Sequence, residues 1–241
     1  MCQTTTPKTV TLANGELTVE ISRRGARPIG ATLKDPKYAA NHLADLVTPE
    51  IVNAKALAPL APWFGDAGES QIPANAPFLV TSSAGGATAV LQYRGLDGLE
   101  LTRTYRIGKL YTLSLTETYA NRGAAPVSGR PGAIWVVNDH KAARGEAFEP
   151  GAAVNARYQY KPPKNAEDEK RTYSGPVDFV AISDRYFTAA VAPVEPRFDG
   201  PDSVRFRRPA KDTLEVLGLA EKVTLGPGET KTLTYEVYLG P

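Results

Sequence analysis

The chain has 241 residues, and its 28 basic and 26 acidic residues leave a net charge of only +2. This balance argues against a nucleic-acid-binding protein, which needs a strongly basic surface. The single cysteine, Cys2, excludes an intramolecular disulfide, and no apolar run approaches the roughly 20 residues of a membrane-spanning helix. The 20 Pro and 21 Gly residues favour many short strands joined by turns over a helical bundle.

The beginning of the chain is polar. We expect residues 1–8 to be a disordered tail or a linker remnant, followed by a single domain over residues 9–241. Cys2 leaves three interpretations open. It belongs to a mobile tail, it follows a start methionine added to an excised domain, or it is a lipid-attachment cysteine whose signal peptide was removed.

Three neighbouring strands are predicted at the start of the domain. Residues 8–12 and 16–22 flank Asn14-Gly15, which is the strongest short signal for a β-hairpin. Apolar and polar residues alternate in the second of these segments, so one of its faces should be buried. A third strand over residues 28–33 follows.

Residues 35–71 are predicted to be irregular, because the prolines that recur there prevent long elements. Residues 38–47 have apolar side chains at helical spacing and favour a short helix. Trp63 and Phe64 follow in a Pro-rich loop. Two interpretations of this aromatic pair stay open: a lid that plugs into the core, or the aromatic side chains of a cleft that contact a ligand.

Closely spaced strands with Gly-containing turns are predicted from residue 78 onward. Their ranges are 78–82, 87–94, 99–107, 111–120, 132–138, 153–160, 177–183, 186–192, 203–207 and 214–217. Within residues 111–120, Glu117 is a mismatch on the apolar face of the alternation. The whole chain contains about fifteen candidate strands by this pattern, with no internal repeat and no linker that separates two cores.

Residues 221–241 predict a half-buried antiparallel hairpin that closes a sheet. A Gly-Pro-Gly turn centred on Pro227 interrupts the alternation, since Gly tolerates positive φ and Pro restricts φ. After this turn, four apolar side chains share one face of a period-two strand: Leu233, Tyr235, Val237 and Leu239.

Three segments of the chain carry a family resemblance. They are the Asn14-Gly15 hairpin with Arg24-Gly25, the stretch VAISDRYFTAA over residues 180–190, and the end Tyr238-Leu239-Gly240-Pro241. In this order they resemble the large periplasmic domain of the YidC family of bacterial membrane-protein insertases. The resemblance implies an all-β fold: a β-supersandwich of two large twisted antiparallel sheets, galactose-mutarotase-like, with short helices in its loops.

The resemblance also implies a role in membrane-protein insertion and folding. The domain would be non-enzymatic and would act as a scaffold, a partner-contact surface or a chaperone-like module. It would lie in the periplasm of a Gram-negative bacterium, as part of an inner-membrane protein. The implied partners are components of the Sec translocon and nascent membrane proteins, and no cofactor is implied.

Two other functions stay open. A carbohydrate-active enzyme of the mutarotase type needs a general acid and a general base, and neither His42 nor His140 stands in a motif of those enzymes. A free-standing periplasmic lipoprotein that binds a glycan or a protein partner would use Cys2 as its anchor. Glu146 and Glu149 follow His140 without the spacing of a zinc site, so no metal site is predicted.

One cationic segment is a candidate contact surface. Arg205, Arg207, Arg208 and Lys211 place four cations within seven residues. Such a patch would attract an anionic lipid surface or a partner protein. The alternative is an ordinary solvated strand edge, which charged side chains protect from aggregation.

Two smaller charged features complete the sequence. Arg23, Arg24 and Arg27 form a second cationic cluster. Asp184-Arg185 predicts a turn with an internal salt bridge, which leads into a buried aromatic strand.

Overall fold

The computed structural model describes residues 9–38, 47, 50–52, 55–66, 69–138, 148–160 and 171–241. Within these residues the secondary structure consists of 21 β-strands and a short 3-10 helix at Pro36–Tyr38. The helix predicted over residues 38–47 lies outside the described residues, except for its two ends. The predicted all-β fold is confirmed.

The N-terminal sheet has three antiparallel strands: β1 (Thr9–Ala13), β2 (Leu17–Ser22) and β3 (Arg27–Leu33). Asn14 holds the turn between β1 and β2, because its Oδ1 accepts the N–H groups of Glu16 and Leu17 at 2.8 and 2.7 Å. The hairpin predicted from Asn14-Gly15 is therefore confirmed.

Four short strands follow: β4 (Glu50–Val52), β5 (Lys55–Leu57), β6 (Pro62–Asp66) and β7 (Glu69–Ser70). Trp63 and Phe64 lie on β6, which pairs with β12 (Val127–Asn138), and not in the predicted loop. Glycines of β12 leave room for the two rings. A Cβ on Gly129 would lie 2.7 Å from the Phe64 ring, and a Cβ on Gly132 would lie 3.2 Å from the Trp63 ring. The loop prediction is wrong because a distant strand supplies the backbone partners of β6.

From residue 79 the strands are closely spaced. They are β8 (Leu79–Ala84), β9 (Thr88–Arg94), β10 (Leu99–Ile107), β11 (Thr112–Asn121), β12 (Val127–Asn138), β13 (Glu149–Val154), β14 (Arg157–Gln159), β15 (Arg171–Tyr173), β16 (Val177–Ser183), β17 (Thr188–Glu195), β18 (Val204–Ala210), β19 (Thr213–Leu219), β20 (Val223–Leu225) and β21 (Thr230–Gly240). The strand predicted over residues 153–160 is divided into β13 and β14. A turn at Asn155 and Ala156, with φ angles of 50° and 58°, separates them.

Two large antiparallel sheets form the sandwich. The nine-stranded sheet has the order β14-β13-β16-β17-β21-β11-β10-β9-β8, and the seven-stranded sheet has the order β15-β18-β19-β12-β6-β7 with β20 beside β12. Apolar side chains from both sheets and from the N-terminal sheet form one buried cluster, which extends from Val10 to Leu239. The predicted two-sheet sandwich is confirmed, and the single-domain boundary of residues 9–241 stays a prediction.

The last two strands do not form the predicted hairpin. β20 pairs with β12 in the seven-stranded sheet, whereas β21 lies between β11 and β17 in the middle of the nine-stranded sheet. The turn at Pro227 therefore carries the chain from one sheet to the other. The buried Asn121 side chain holds this crossing, because its Nδ2 donates to the carbonyls of Leu225 (2.9 Å) and Ala125 (2.8 Å). The hairpin prediction is wrong because alternation marks the buried face of a strand and not its neighbour.

Candidate functional site

A buried ion pair joins two interior strands of the nine-stranded sheet. Arg103 of β10 and Glu117 of β11 are directly opposite each other in the strand pairing. Arg103 Nε lies 2.8 Å and Nη2 lies 2.6 Å from Glu117 Oε1, and the two side chains are 2% and 0% exposed. Because an unpaired buried charge is strongly destabilising, each of these residues needs the other.

The Arg103 guanidinium also contacts two other segments of the chain. Its Nη1 lies 3.1 and 2.8 Å from the carbonyl oxygens of Gly25 and Ala26, between β2 and β3, and 2.7 Å from that of Leu60, just before β6. Ala26 and Leu60 both adopt positive φ angles, 43° and 50°, which are unfavourable for residues with a Cβ. Arg103 therefore joins three segments at a point where two of them are strained.

Two tyrosines complete the hydrogen bonding of the cluster. The Tyr119 hydroxyl lies 2.7 Å from Glu117 Oε2 and 3.0 Å from the Trp63 carbonyl oxygen. The Tyr105 hydroxyl donates to the Ala26 carbonyl at 2.6 Å. The single phenol proton of Tyr119 is donated to Glu117, so both carboxylate oxygens have a donor, and the same hydroxyl packs against the backbone of β6 at Trp63.

Burial controls the protonation of this cluster. It raises the pKa of Tyr105 to about 12, and burial with the nearby Glu117 carboxylate raises the pKa values of Tyr119 and Tyr235 well above their usual range. Burial alone would lower the pKa of Arg103, but Tyr105 and Glu117 raise it above its usual value. At neutral pH the arginine is charged and the three phenols are protonated. General acid–base catalysis needs a pKa near the working pH, and these four groups do not provide one.

A further cation, Arg27 of β3, lies near the ion pair. It is 7% exposed, and its Nε and Nη1 atoms have no hydrogen-bond partner in the described part of the chain. Burial lowers the pKa of Arg27, and the positive charge of Arg103 acts in the same direction, whereas Tyr105 opposes both. With two arginines and one glutamate, these three side chains carry one positive charge in excess.

Sequence reasoning finds only half of the ion pair. Glu117 stands out as a mismatch on an apolar face, but Arg103 is missed, although it interrupts the apolar alternation of Leu101 and Tyr105 in the same way. Opposite charges on the apolar faces of two strands joined by a short turn indicate a cross-strand pair. The contacts with the carbonyls of Ala26 and Leu60 have no sequence signal, because they depend on the packing of distant segments.

The four cations of the predicted contact surface lie in different environments. Arg205 is buried, with 4% exposure. Arg207 Nη2 donates to Glu215 Oε2 at 2.8 Å. Arg208 Nη1 donates to the carbonyl of the exposed Lys211 at 2.6 Å, in the turn between β18 and β19. Contact of these residues with a membrane surface or a partner stays a prediction.

Both members of the aromatic pair are buried, whereas the members of the second cationic cluster lie in different environments. Trp63 and Phe64 are 5% and 0% exposed, and their contact with a ligand stays a prediction. Arg24 is exposed, whereas Arg23 Nε donates to the carbonyl of Phe78 at 3.1 Å. The third member, Arg27, is the buried cation beside the ion pair.

The predicted salt bridge between Asp184 and Arg185 does not form. Asp184 Oδ1 accepts the backbone N–H groups of Tyr186 and Phe187, both at 2.7 Å. The Arg185 guanidinium lies over the Tyr186 ring, 5.5 Å from the ring centre. The prediction is wrong because the carboxylate satisfies the N–H groups that the turn leaves unpaired, as aspartates in turns commonly do.

Several residues considered in the sequence lie outside the described residues. They are Cys2, His42, His140 and Glu146. Among the residues that the structure does describe, no three His, Cys, Asp or Glu side chains come together as metal ligands. The described part also contains no helix that is long and apolar enough to cross a membrane.

A surface pocket of about 360 Å³ lies beside β20 and the segment after β17. Its charged lining residues are Arg197, Asp199, Glu221, Lys222 and Lys231. Because both signs of charge are mixed around it, the pocket favours no particular class of charged ligand.

Similarity to a known family extends over nearly the whole chain. A model of the YidC periplasmic domain matches residues 9–241. Among curated proteins, a membrane protein insertase YidC of Geobacter sulfurreducens is 28% identical over 148 residues, which cover 60% of this chain and 27% of that protein. The match therefore spans about a quarter of the length of this relative.

Solved structures with this fold include mutarotase-like proteins. One is a galactose mutarotase-like protein from Lactobacillus casei, with a TM-score of 0.63, 11% identity and coverage of 95% of this chain and 99% of that chain. Another is a galactose mutarotase related enzyme from Lactobacillus acidophilus, with a TM-score of 0.63, 13% identity and coverage of 97% of each chain. A putative aldose 1-epimerase from Escherichia coli K12 has a TM-score of 0.59 and 13% identity, with coverage of 95% of this chain and 98% of that chain. At such identities the likeness shows the fold alone.

Removing one member of the ion pair should destabilise the protein strongly. Arg103→Met leaves Glu117 unpaired in the interior, and we expect its free energy of unfolding, measured by urea denaturation, to fall by about 3–5 kcal/mol. Arg103→Met with Glu117→Leu removes both charges and should cost less than Arg103→Met alone. Lys37→Met breaks the exposed pair with Asp35 and serves as the control, with almost no expected effect. A double variant less stable than Arg103→Met would contradict the role of the pair.

The buried phenols should make the protein sensitive to alkaline pH. The pKa of Tyr105 is about 12 in the folded protein and 10.0 for an ordinary tyrosine. The stability that the protonated Tyr105 phenol contributes through this raised pKa is therefore fully present below pH 10. It is lost as the pH rises from 10 towards 12. Urea denaturation across this range should show a falling free energy of unfolding, with a smaller fall for Tyr105→Phe. Replacing the exposed Tyr160 by Phe should leave the pH profile unchanged, and equal profiles for all three proteins would refute this prediction.

Proposed function

The chain belongs to the family of YidC periplasmic domains, and we propose that it is a non-enzymatic module of a membrane-protein insertase. In this role it lies in the periplasm as part of an inner-membrane protein. It serves as a scaffold and partner-contact or chaperone-like surface for membrane-protein insertion and folding. The observation that carries this proposal is the family match over residues 9–241, a range that includes all described strands.

The chemistry of the buried cluster supports a non-enzymatic role. Arg103 and Glu117 use their charges on each other, and their hydrogen bonds go to phenols and backbone carbonyls. The phenols of Tyr105, Tyr119 and Tyr235 have raised pKa values and hold their protons at neutral pH. Interconversion of sugar anomers needs a general acid and a general base, which these groups do not supply. The likeness to mutarotase-like structures is one of fold, and function has to come from the site.

The same cluster supports a scaffold role. Its contacts with Gly25, Leu60 and Trp63 tie the N-terminal sheet and β6 to the nine-stranded sheet. A domain held in this way presents its outer surfaces in a constant arrangement to partners. We propose that the partners are components of the Sec translocon and nascent membrane proteins. An anionic lipid surface beside Lys211 and Arg208 would add roughly 1 kcal/mol for each cation close to it.

A domain exchange tests the partner contact. In the YidC of Geobacter sulfurreducens, the segment that matches this chain is deleted, or replaced by residues 9–241 of this chain. We expect the deletion to weaken co-purification of the insertase with the Sec translocon from detergent-solubilised membranes, and the replacement to restore it.

The control for this exchange has the same fold without the family's surface. The mutarotase-like protein from Lactobacillus casei is inserted at the same place. Because its identity to this chain is only 11%, it should not restore co-purification. If it restores co-purification with the translocon as well as residues 9–241 do, a specific partner contact by this domain is ruled out.

Polarimetry tests the non-enzymatic assignment. The rate at which fresh α-D-glucose or α-D-galactose reaches its equilibrium rotation should be the same with and without the purified protein. A galactose mutarotase serves as the positive control. An acceleration by this chain that His42→Asn or His140→Asn abolishes would overturn the assignment in favour of the mutarotase-type alternative.

A further inference from the structure

The nine-stranded sheet ends in an exposed edge strand, β8. Within the part of the chain that the structure describes, its six residues, LVTSSA, pair with β9 on one side only. Leu79 is 64% exposed, and of this strand only Val80 packs against the core. The backbone groups on the other side of β8 therefore pair with no strand among the described residues.

β8 lacks most of the features that protect sheet edges from pairing with other chains. Such features are short length, charged side chains and proline. At the other ends of the two large sheets, β14 and β15 have three residues each and begin with an arginine, and β7 has two residues. β8 has six residues, none of them charged and none a proline. A bulge between Val80 and Ser82 leaves residues 82–84 as its regular part.

The turn after β8 shows which backbone groups are free. Ala84 pairs with Thr88, and its carbonyl accepts the N–H of Ala87 at 2.9 Å, so the backbone groups of Ala84 face β9. Successive residues of an antiparallel strand direct these groups to opposite sides. The N–H and C=O of Ser83 therefore point away from β9 and are available to another strand.

A positive charge lies at the beginning of this edge. Directly before β8, the N–H of Phe78 donates to the carbonyl of Arg23 at 2.8 Å, and the exposed Arg24 lies opposite Pro77. A strand added antiparallel to β8 would have its C-terminal residues beside Arg24. A carboxylate at that end of the added strand would be attracted to the guanidinium.

We propose that β8 binds an extended peptide segment by antiparallel strand addition, and that this segment is uncharged except for an acidic residue at its C-terminal end, beside Arg24. The proposal rests on the proposed function and names the surface through which the domain holds unfolded periplasmic segments of membrane proteins. In this mode backbone hydrogen bonds supply the affinity, and alternate side chains supply the specificity. The exposed Leu79 offers an apolar contact to one side chain of the segment.

The test measures fluorescence anisotropy of a labelled heptapeptide in which valine and threonine alternate and the last residue is glutamate. The probe should bind the purified chain. Ser83→Pro removes the outward N–H and leaves the pairing with β9 intact, so it should weaken binding about tenfold or more. Ser83→Ala keeps the N–H and should change the affinity by less than about twofold.

A second probe tests strand addition without altering the protein. The same heptapeptide with N-methyl groups on alternate residues keeps its side chains and loses backbone donors, and it should bind about tenfold more weakly or not at all. The thermal unfolding midpoint of Ser83→Pro should be close to that of the parent chain. If this variant is unfolded, the N-methylated peptide decides the question.

Three outcomes would overturn the proposal. They are no binding of the parent peptide, equal binding of the parent and N-methylated peptides, and unchanged binding by a folded Ser83→Pro variant. A dimer in sedimentation velocity that Ser83→Pro dissociates, without peptide binding, would mean that the edge pairs two copies of this chain. Failure of the proposed function is a separate result, because it is read from translocon co-purification and not from the peptide.

Discussion

The structure depends on a buried arginine whose donors all have to be satisfied. Arg103 lies on an interior strand of the nine-stranded sheet, where its neighbour in the strand pairing, Glu117, can meet only part of its hydrogen-bonding capacity. The remaining donors reach the carbonyls of Ala26 and Leu60, which belong to connections outside this sheet. Both residues have left-handed backbone angles, a strain that these hydrogen bonds help to offset. The N-terminal sheet and the entry to β6 are therefore fixed relative to the large sheet at this point.

The buried polar cluster supports our proposal that this chain, which shares a fold with mutarotase-like proteins, does not share their function. The chain has the same strand architecture as mutarotase-like proteins at 11–13% identity. The buried side chains of Arg103, Glu117 and Tyr105, however, are used on one another and on backbone carbonyls. The phenols of Tyr119 and Tyr235 are protonated because they are buried and lie next to Glu117, which raises their pKa values well above the usual range. This interior stabilises the sandwich, so the functional surfaces that we propose lie at its periphery, in the turn at Lys211 and at the edge of β8.

The chain crosses between sheets near its end. β20 completes the seven-stranded sheet, and β21 then takes a central place between β11 and β17. Asn121 holds the crossing, because its side-chain amide donates to the carbonyl of Leu225 and its backbone groups pair with Gly228 and Glu229 in the turn. A segment that looks like a local hairpin in the sequence thus joins the two layers. With β21 in the middle of the large sheet, β8 and β14 are left as its edges.

Local alternation and turn chemistry were sufficient to predict the all-β class, most of the strands and the Asn14-Gly15 hairpin. The family was predicted from the resemblance of three ordered segments to known sequences, and not from these patterns. The patterns determine which face of a strand is buried, because successive side chains point to opposite sides. They do not determine which strand lies beside it. For that reason the pairing of β6 with β12, the separation of β20 from β21 and the joining of Arg103 to distant carbonyls were decided only in the tertiary structure. Each of these depends on backbone groups and space supplied by residues far away in the chain, and a pattern of period two carries no information about them.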